Sequence, residues 1–101
     1  MTDRELDFAI AKLKGWTQVK ADEWKDEDGS FHFYGPPFYS GSWESAGELI
    51  DEVRQDGLVT FKFYPSGAEC NMWPNDTVYA ETGPRAVVEA YYNLKGIVSD
   101  T

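Results

Sequence analysis

Few side chains in this chain could do covalent chemistry. His32 is the only histidine and Cys70 the only cysteine. A nucleophilic triad would need His32 beside a nucleophile and an orienting acid. Lying between Phe31 and Phe33, it reads instead as a strand residue projecting into solvent or a satisfied pocket. Cys70 would attack a substrate only if a neighbouring cation lowered its pKa. Alternation puts it beside Met72, on a face either opposite Val59, Phe61 and Phe63 or shared with them. A buried structural cysteine is the plainer reading. One histidine and one cysteine fall short of a zinc site. The segment Asp22–Asp28 holds Asp22, Glu23, Asp26, Glu27 and Asp28 against one lysine. It lacks the alternating ligands, sixth-position glycine and twelfth-position glutamate of a calcium loop, so it reads as a solvated turn. Gly35-Pro36-Pro37 and Gly41 lack the Lys-Ser/Thr ending of a phosphate loop. No catalytic residue, metal site or cofactor is expected, and the chain is read as a non-enzyme.

What remains is recognition chemistry. Sixteen of 101 residues are aromatic. The pattern assigns Trp16, Phe33, Phe61 and Phe63 to the core. Phe38 and Tyr39 sit in a Pro-Gly-Ser loop, while Tyr64 and Trp73 fall on the strand face opposite Val59. If that face is open, these four form an aromatic patch rimmed by acids, and such patches mark binding surfaces. Carboxylates also recur at helical spacing in Glu44, Glu48, Asp51 and Glu52, an acidic ridge with only Arg54 near it in sequence. Arg85, close to a helix start with free amides, is a candidate for holding a phosphate.

The elements that must position these groups follow from periodicity and caps. Thr2 and Glu5 form a capping box, and Leu6, Ala9, Ile10 and Leu13 follow as an apolar stripe that Gly15 ends. Trp16 falls where a residue packs back on the last turn. Thr17–Trp24 and Phe31–Tyr34 suit strands on either side of the acidic turn, and Gly35-Pro36-Pro37 breaks the second. Ser42 or Ser40 can cap a second helix over Trp43–Gln55, with Trp43, Ala46, Leu49, Ile50 and Val53 facing inward. Leu58–Tyr64 and Ala68–Trp73 form a hairpin about Pro65-Ser66-Gly67, and Thr77–Glu81 is a short last strand. A third helix begins after Thr82 with Pro84 in its first turn, carries Val87, Val88, Tyr91 and Leu94 inward, and ends at Gly96. Residues 97–101 read as a loose tail. The expected class is α+β: a mainly antiparallel sheet of four to five strands packed with three helices, in the order αββαββ(β)α.

At 101 residues, size scaling gives a folded surface of roughly 5,800 Å² against about 16,700 Å² unfolded, enough burial for a single domain spanning 1–101. Eighteen acidic residues against nine basic ones give a net charge of −9. That balance argues against duplex DNA, RNA or anionic membrane as direct partners. No run of 18 apolar residues and no basic start followed by an apolar stretch is present, and a lone cysteine suits a reducing cytoplasm.

Three segments resemble the phage ABA sandwich domain family. Thr2-Asp3-Arg4-Glu5-Leu6-Asp7 through Lys14-Gly15-Trp16 is similar to its opening Arg-Glu-Leu-Asp helix ending in Gly-Trp. Pro37-Phe38-Tyr39-Ser40 resembles its Pro-x-Tyr-Ser lead into a central helix. Ala80-Glu81-Thr82-Gly83-Pro84-Arg85-Ala86-Val87 resembles its closing Thr-x-Pro-x-Ala-Ile helix start. Gly41-Ser42 stands where the family pattern has Thr-Asp. The resemblance implies a small cytoplasmic protein encoded by a phage or prophage, with a sheet between helical layers as in a three-layer α-β-α sandwich. It supplies no catalytic residues. The expectation for function is a counter-defence interaction protein of the anti-CRISPR type. Its partner would be a host protein, such as a CRISPR effector or another nucleic-acid-binding complex. The site would be Glu44, Glu48, Asp51 and Glu52 with the Asp22–Asp28 turn, standing in for phosphates in a basic channel. The alternative is a protein that binds or sequesters a nucleotide signal by stacking on Phe38, Tyr39, Tyr64 or Trp73.

Overall fold

The computed structural model describes residues 2–99. Helix α1 (Asp3–Leu13) begins with the expected capping box: Thr2 accepts from the Glu5 amide and the Glu5 carboxylate accepts from the Thr2 amide. Gly15, at φ 93°, turns the chain so that the Trp16 amide reaches back to the Ala11 carbonyl at 2.9 Å. Only glycine holds that left-handed conformation without a Cβ penalty.

Beyond Trp16 the chain builds a small sheet from three two-residue strands, β1 (Thr17–Gln18), β2 (Trp24–Lys25) and β3 (Phe31–His32), paired antiparallel in that order. The single strand expected over Thr17–Trp24 is divided, because Val19 donates to Glu23 across a tight turn at 2.8 Å. The acidic stretch is divided with it: Trp24–Lys25 pairs on both sides, and the turn proper is Asp26–Gly29. Phe33 and Tyr34 lie outside the strand, and Phe33, expected in the core, is 65% exposed. The Gly-Pro-Pro break comes right after, and two prolines leave no donors with which to lengthen the pairing.

A 3-10 turn (Tyr39–Gly41) leads into α2 (Trp43–Arg54), whose Ser42 cap accepts from the Ser45 amide. The second sheet follows as β4 (Val59–Tyr64), β5 (Gly67–Met72) and β6 (Val78–Ala80), antiparallel in the order β4-β5-β6. Helix α3 (Gly83–Ser99) closes the fold. It passes through Gly96 rather than stopping there. Residues 100–101, the rest of the expected tail, lie outside the described residues.

The class is α+β with three helices and antiparallel pairing throughout. The strands form two three-stranded sheets rather than one of four to five. In the hairpin register Val59 faces Met72, Phe61 faces Cys70 and Phe63 faces Ala68, so these six side chains share one face. Helix α3 covers that face, and α1 and α2 pack on α3. Among the described residues no helix lies over the opposite face, with Thr60, Lys62, Tyr64, Glu69 and Tyr79, so this sheet does not lie between two helical layers.

The main core joins Leu6, Ile10, Leu49, Val53, Met72, Val87 and Val88 with Tyr39 and Tyr91. A second, smaller core holds Ala11, Trp16 and Trp24 with Phe8 packed on them. Helix α1 serves both cores, which is why Ala11 is buried off the expected stripe while Ala9 is only half-buried. Phe61 is half-buried, and Phe63, also expected in the core, is 67% exposed at the strand end.

Candidate functional site

The two acidic surfaces expected from sequence meet at a cleft of about 480 Å³. Lys14 and Trp16 reach it from the end of α1, Glu27 and His32 from the small sheet, Tyr34–Tyr39 from the following loop, and Glu48 from α2.

The loop that forms one wall is held by α1. The Arg4 guanidinium donates to the carbonyls of Tyr34 and Pro37, each at 3.2 Å. It also stacks 3.9 Å from the Phe38 ring centre. Asp7, only 1% exposed, accepts from the Ser40 amide at 2.8 Å and from Arg4 at 3.3 Å. The Ser40 hydroxyl donates to the Asp3 carbonyl. A carboxylate buried this deeply needs such partners, because desolvation would otherwise cost several kcal/mol. The Arg-Glu-Leu-Asp and Pro-Phe-Tyr-Ser segments are thus two halves of one contact. Spacing along the chain does not disclose that Arg4 and Asp7 bind the second segment, because the contact spans 33 positions.

The cleft has a carboxylate excess. The Lys14 ammonium is spent on Glu52 at 3.3 Å. His32 is held by Asp26 at 2.8 Å and its ring lies 4.6 Å from that of Trp16. Glu27 and Glu48 have no ion-pair partner among the described residues. Tyr39 is 1% exposed, and its hydroxyl stays protonated well above the usual phenol range. Burial is the main cause, and the Glu48 and Glu27 carboxylates add to it.

Other expected site residues are placed differently. Glu52 leaves the outward ridge: Tyr91 donates to it at 2.6 Å, and Lys95 lies 3.8 Å away beside Lys14. Burial opposes its charge, but the Tyr91 hydrogen bond and the two ammonium groups hold its pKa below the ordinary value. Glu44, Glu48 and Asp51 remain outward, with Asp51 paired to Arg54 at 2.9 Å. Asp26 is internal to its turn, where Oδ1 accepts from the Asp28 and Ser30 amides. Asp22 and Asp28 are exposed and Glu23 is half-buried.

The four-residue aromatic patch does not exist as one surface. Tyr39 is core. Phe38 is exposed on the cleft wall, while Tyr64 is exposed on the open sheet face, where its hydroxyl donates to Glu69 at 2.5 Å. That bond pushes the Tyr64 phenol up to about 12. Trp73 is exposed in the turn after β5. Tyr34 and Tyr79 are further exposed rings, and Trp43, expected to face inward from α2, is 49% exposed because it sits in the first turn at the helix edge.

Cys70 is fully buried, and burial pushes its thiol up to about 12, which leaves it protonated and inert at neutral pH. Arg85, the expected phosphate-holding cation, is clamped by Asp3 and by Glu89. Among the described residues no three histidine, cysteine or carboxylate side chains are grouped to hold a metal ion, and no helix is long and apolar enough to cross a membrane.

These features define a small α+β domain with two antiparallel sheets and a loop-walled acidic cleft. A crystal structure of a phage protein from Bacillus cereus is similar, with a TM-score of 0.70 and 25% identity over 92% of this chain and 86% of that one. Comparison with protein-family models and with curated proteins gives no match.

Proposed function

We propose that this chain is a phage- or prophage-encoded, non-enzymatic interaction protein of the phage ABA sandwich kind. It acts in the bacterial cytoplasm as a counter-defence inhibitor of the anti-CRISPR type. Its partner is a host protein with a basic, nucleic-acid-binding surface, and nucleic acid itself is not its ligand. The similarity to the Bacillus cereus phage protein supports the origin.

The observation that carries the mode of binding is the cleft, where two carboxylates without ion-pair partners, Glu27 and Glu48, stand among exposed aromatic rings. A lysine or arginine projecting from a basic surface gains both charge and ring contacts in such a place. Glu44 extends the negative field along α2, which raises the association rate toward a basic partner. The phosphate-mimicking surface is therefore the cleft and the outer part of α2, without Glu52 or Asp26.

The test is capture from a host lysate, with protection of phage from host immunity scored in parallel. The wild-type chain should retain a nucleic-acid-binding protein and protect phage. The Glu27→Lys/Glu48→Lys double variant should do neither while keeping its circular dichroism spectrum. Unchanged capture and protection in the double variant would exclude the cleft.

A further inference from the structure

We propose that the outer edge of β4 is a self-association seam, pairing antiparallel with β4 of a second copy. Two three-stranded sheets then become one six-stranded sheet. β4 is the first strand in the order β4-β5-β6, and among the described residues no strand pairs with its other side. An edge six residues long with unused amides and carbonyls is a template for another strand unless charge, proline or a bulge blunts it. This one carries a single lysine and no proline within Val59–Tyr64.

Charge selects a second copy as the occupant. The chain carries −9, so two copies repel over most approaches. The ten residues Gly57–Ser66 contain no acid, and Lys62 gives them one positive charge. Through this seam two acidic molecules can meet without carboxylate facing carboxylate.

Side-chain alternation then limits the register. Antiparallel pairing keeps the sheet faces matched only if odd-numbered residues oppose odd-numbered ones. A two-fold axis at Phe61 satisfies this, placing Phe61 against its own mate, Phe63 against Val59 of the second copy and Thr60 against Lys62 of the second copy. Trp43, Phe61 and Phe63 already form a ring cluster, with centroids 5.8–6.2 Å apart. Phe63 and Trp43 are largely uncovered in the single chain, and the pairing covers them. The arrangement is isologous and closes at two copies.

Sedimentation equilibrium of the full chain tests this. The expected mass is twice 11.5 kDa. Lys62→Glu and Phe63→Glu alter exposed side chains, so both variants should fold, and each should weaken the dimer by at least about tenfold in Kd. A mixed sample of labelled and unlabelled chains should show nuclear Overhauser contacts between Phe61 rings of different copies. A monomer at every accessible concentration overturns the proposal, including the case in which β4 takes a strand from an unrelated protein. So does a dimer that ignores both variants or lacks the Phe61 contact.

Discussion

Asp7 shows how much one side chain can organise. It is a charged residue in the middle of an amphipathic helix, yet it is buried and ties α1 to the 3-10 turn through the Ser40 amide and to Arg4. Asp7→Ala should destabilise the fold by about 2–4 kcal/mol, because a buried amide and a half-buried guanidinium lose their acceptor. Urea denaturation followed by fluorescence measures it. Asp26 gives a pH-dependent case. Its pKa is held below the ordinary 3.8, first by the His32 hydrogen bond and then by the Ser30 amide. The stabilisation this implies is present above the unfolded pKa and is lost as pH falls through the folded one. Thermal melts from about pH 5 to about pH 2 should therefore show an acid-induced loss that Asp26→Asn reduces. An acid limb of unchanged steepness in the variant would contradict the assignment.

At the scale of elements, the hairpin and its neighbours depend on close backbone approach. A Cβ on Gly67 would run into the backbone carbonyl oxygen of Ala80 in the adjacent strand β6. Backbone cannot swing aside as a side chain can, so Gly67→Ala should cost about 1–3 kcal/mol and loosen β6 selectively. Hydrogen exchange at Val78–Ala80 should accelerate more than exchange in α1. The three strands of the small sheet are too short to be stable alone. They persist because Trp24, fully buried, anchors the middle strand against Ala11 and Trp16.

For the whole molecule, the relevant quantity is how the charge of −9 is distributed. Glu52 pairs with Lys14 and Lys95, Asp51 with Arg54, and Asp7 with Arg4, while Asp3 and Glu89 share Arg85. Glu27, Glu48 and Glu44 are among the carboxylates left without an ion pair, and they lie at the cleft and on the outer face of α2. Binding to a basic partner should then weaken steeply as salt is raised from about 0.05 M to about 0.5 M, since exposed charges are screened over a shorter Debye length. Surface plasmon resonance against the captured partner would show a falling association rate with a nearly constant dissociation rate. A salt-independent association rate would mean that the acids do not steer.

The three helix starts and the end of α1 were legible because they depend on local chemistry: the Thr2–Glu5 box, Gly15, Ser42, and Pro84 after Thr82 each satisfy or spare an orphan amide or carbonyl. The Val59–Met72 hairpin was legible because strict alternation has period two. Tertiary structure decided what local chemistry cannot encode. Alternation put Phe63 on the right face but could not say that the helices stop short of it. Helical spacing put Glu52 with Glu48, but its rotamer is set by Tyr91, Lys14 and Lys95, which come from two other helices. Tyr39 looked like a loop aromatic until Asp7, 32 positions earlier, drew its neighbour Ser40 inward. The sequence by itself determined the three helices, the hairpin, the α+β class and a surplus of acid. The tertiary structure decided which acids are spent on the protein's own cations and which are left to face a partner, because pairing depends on contacts between segments distant in the chain.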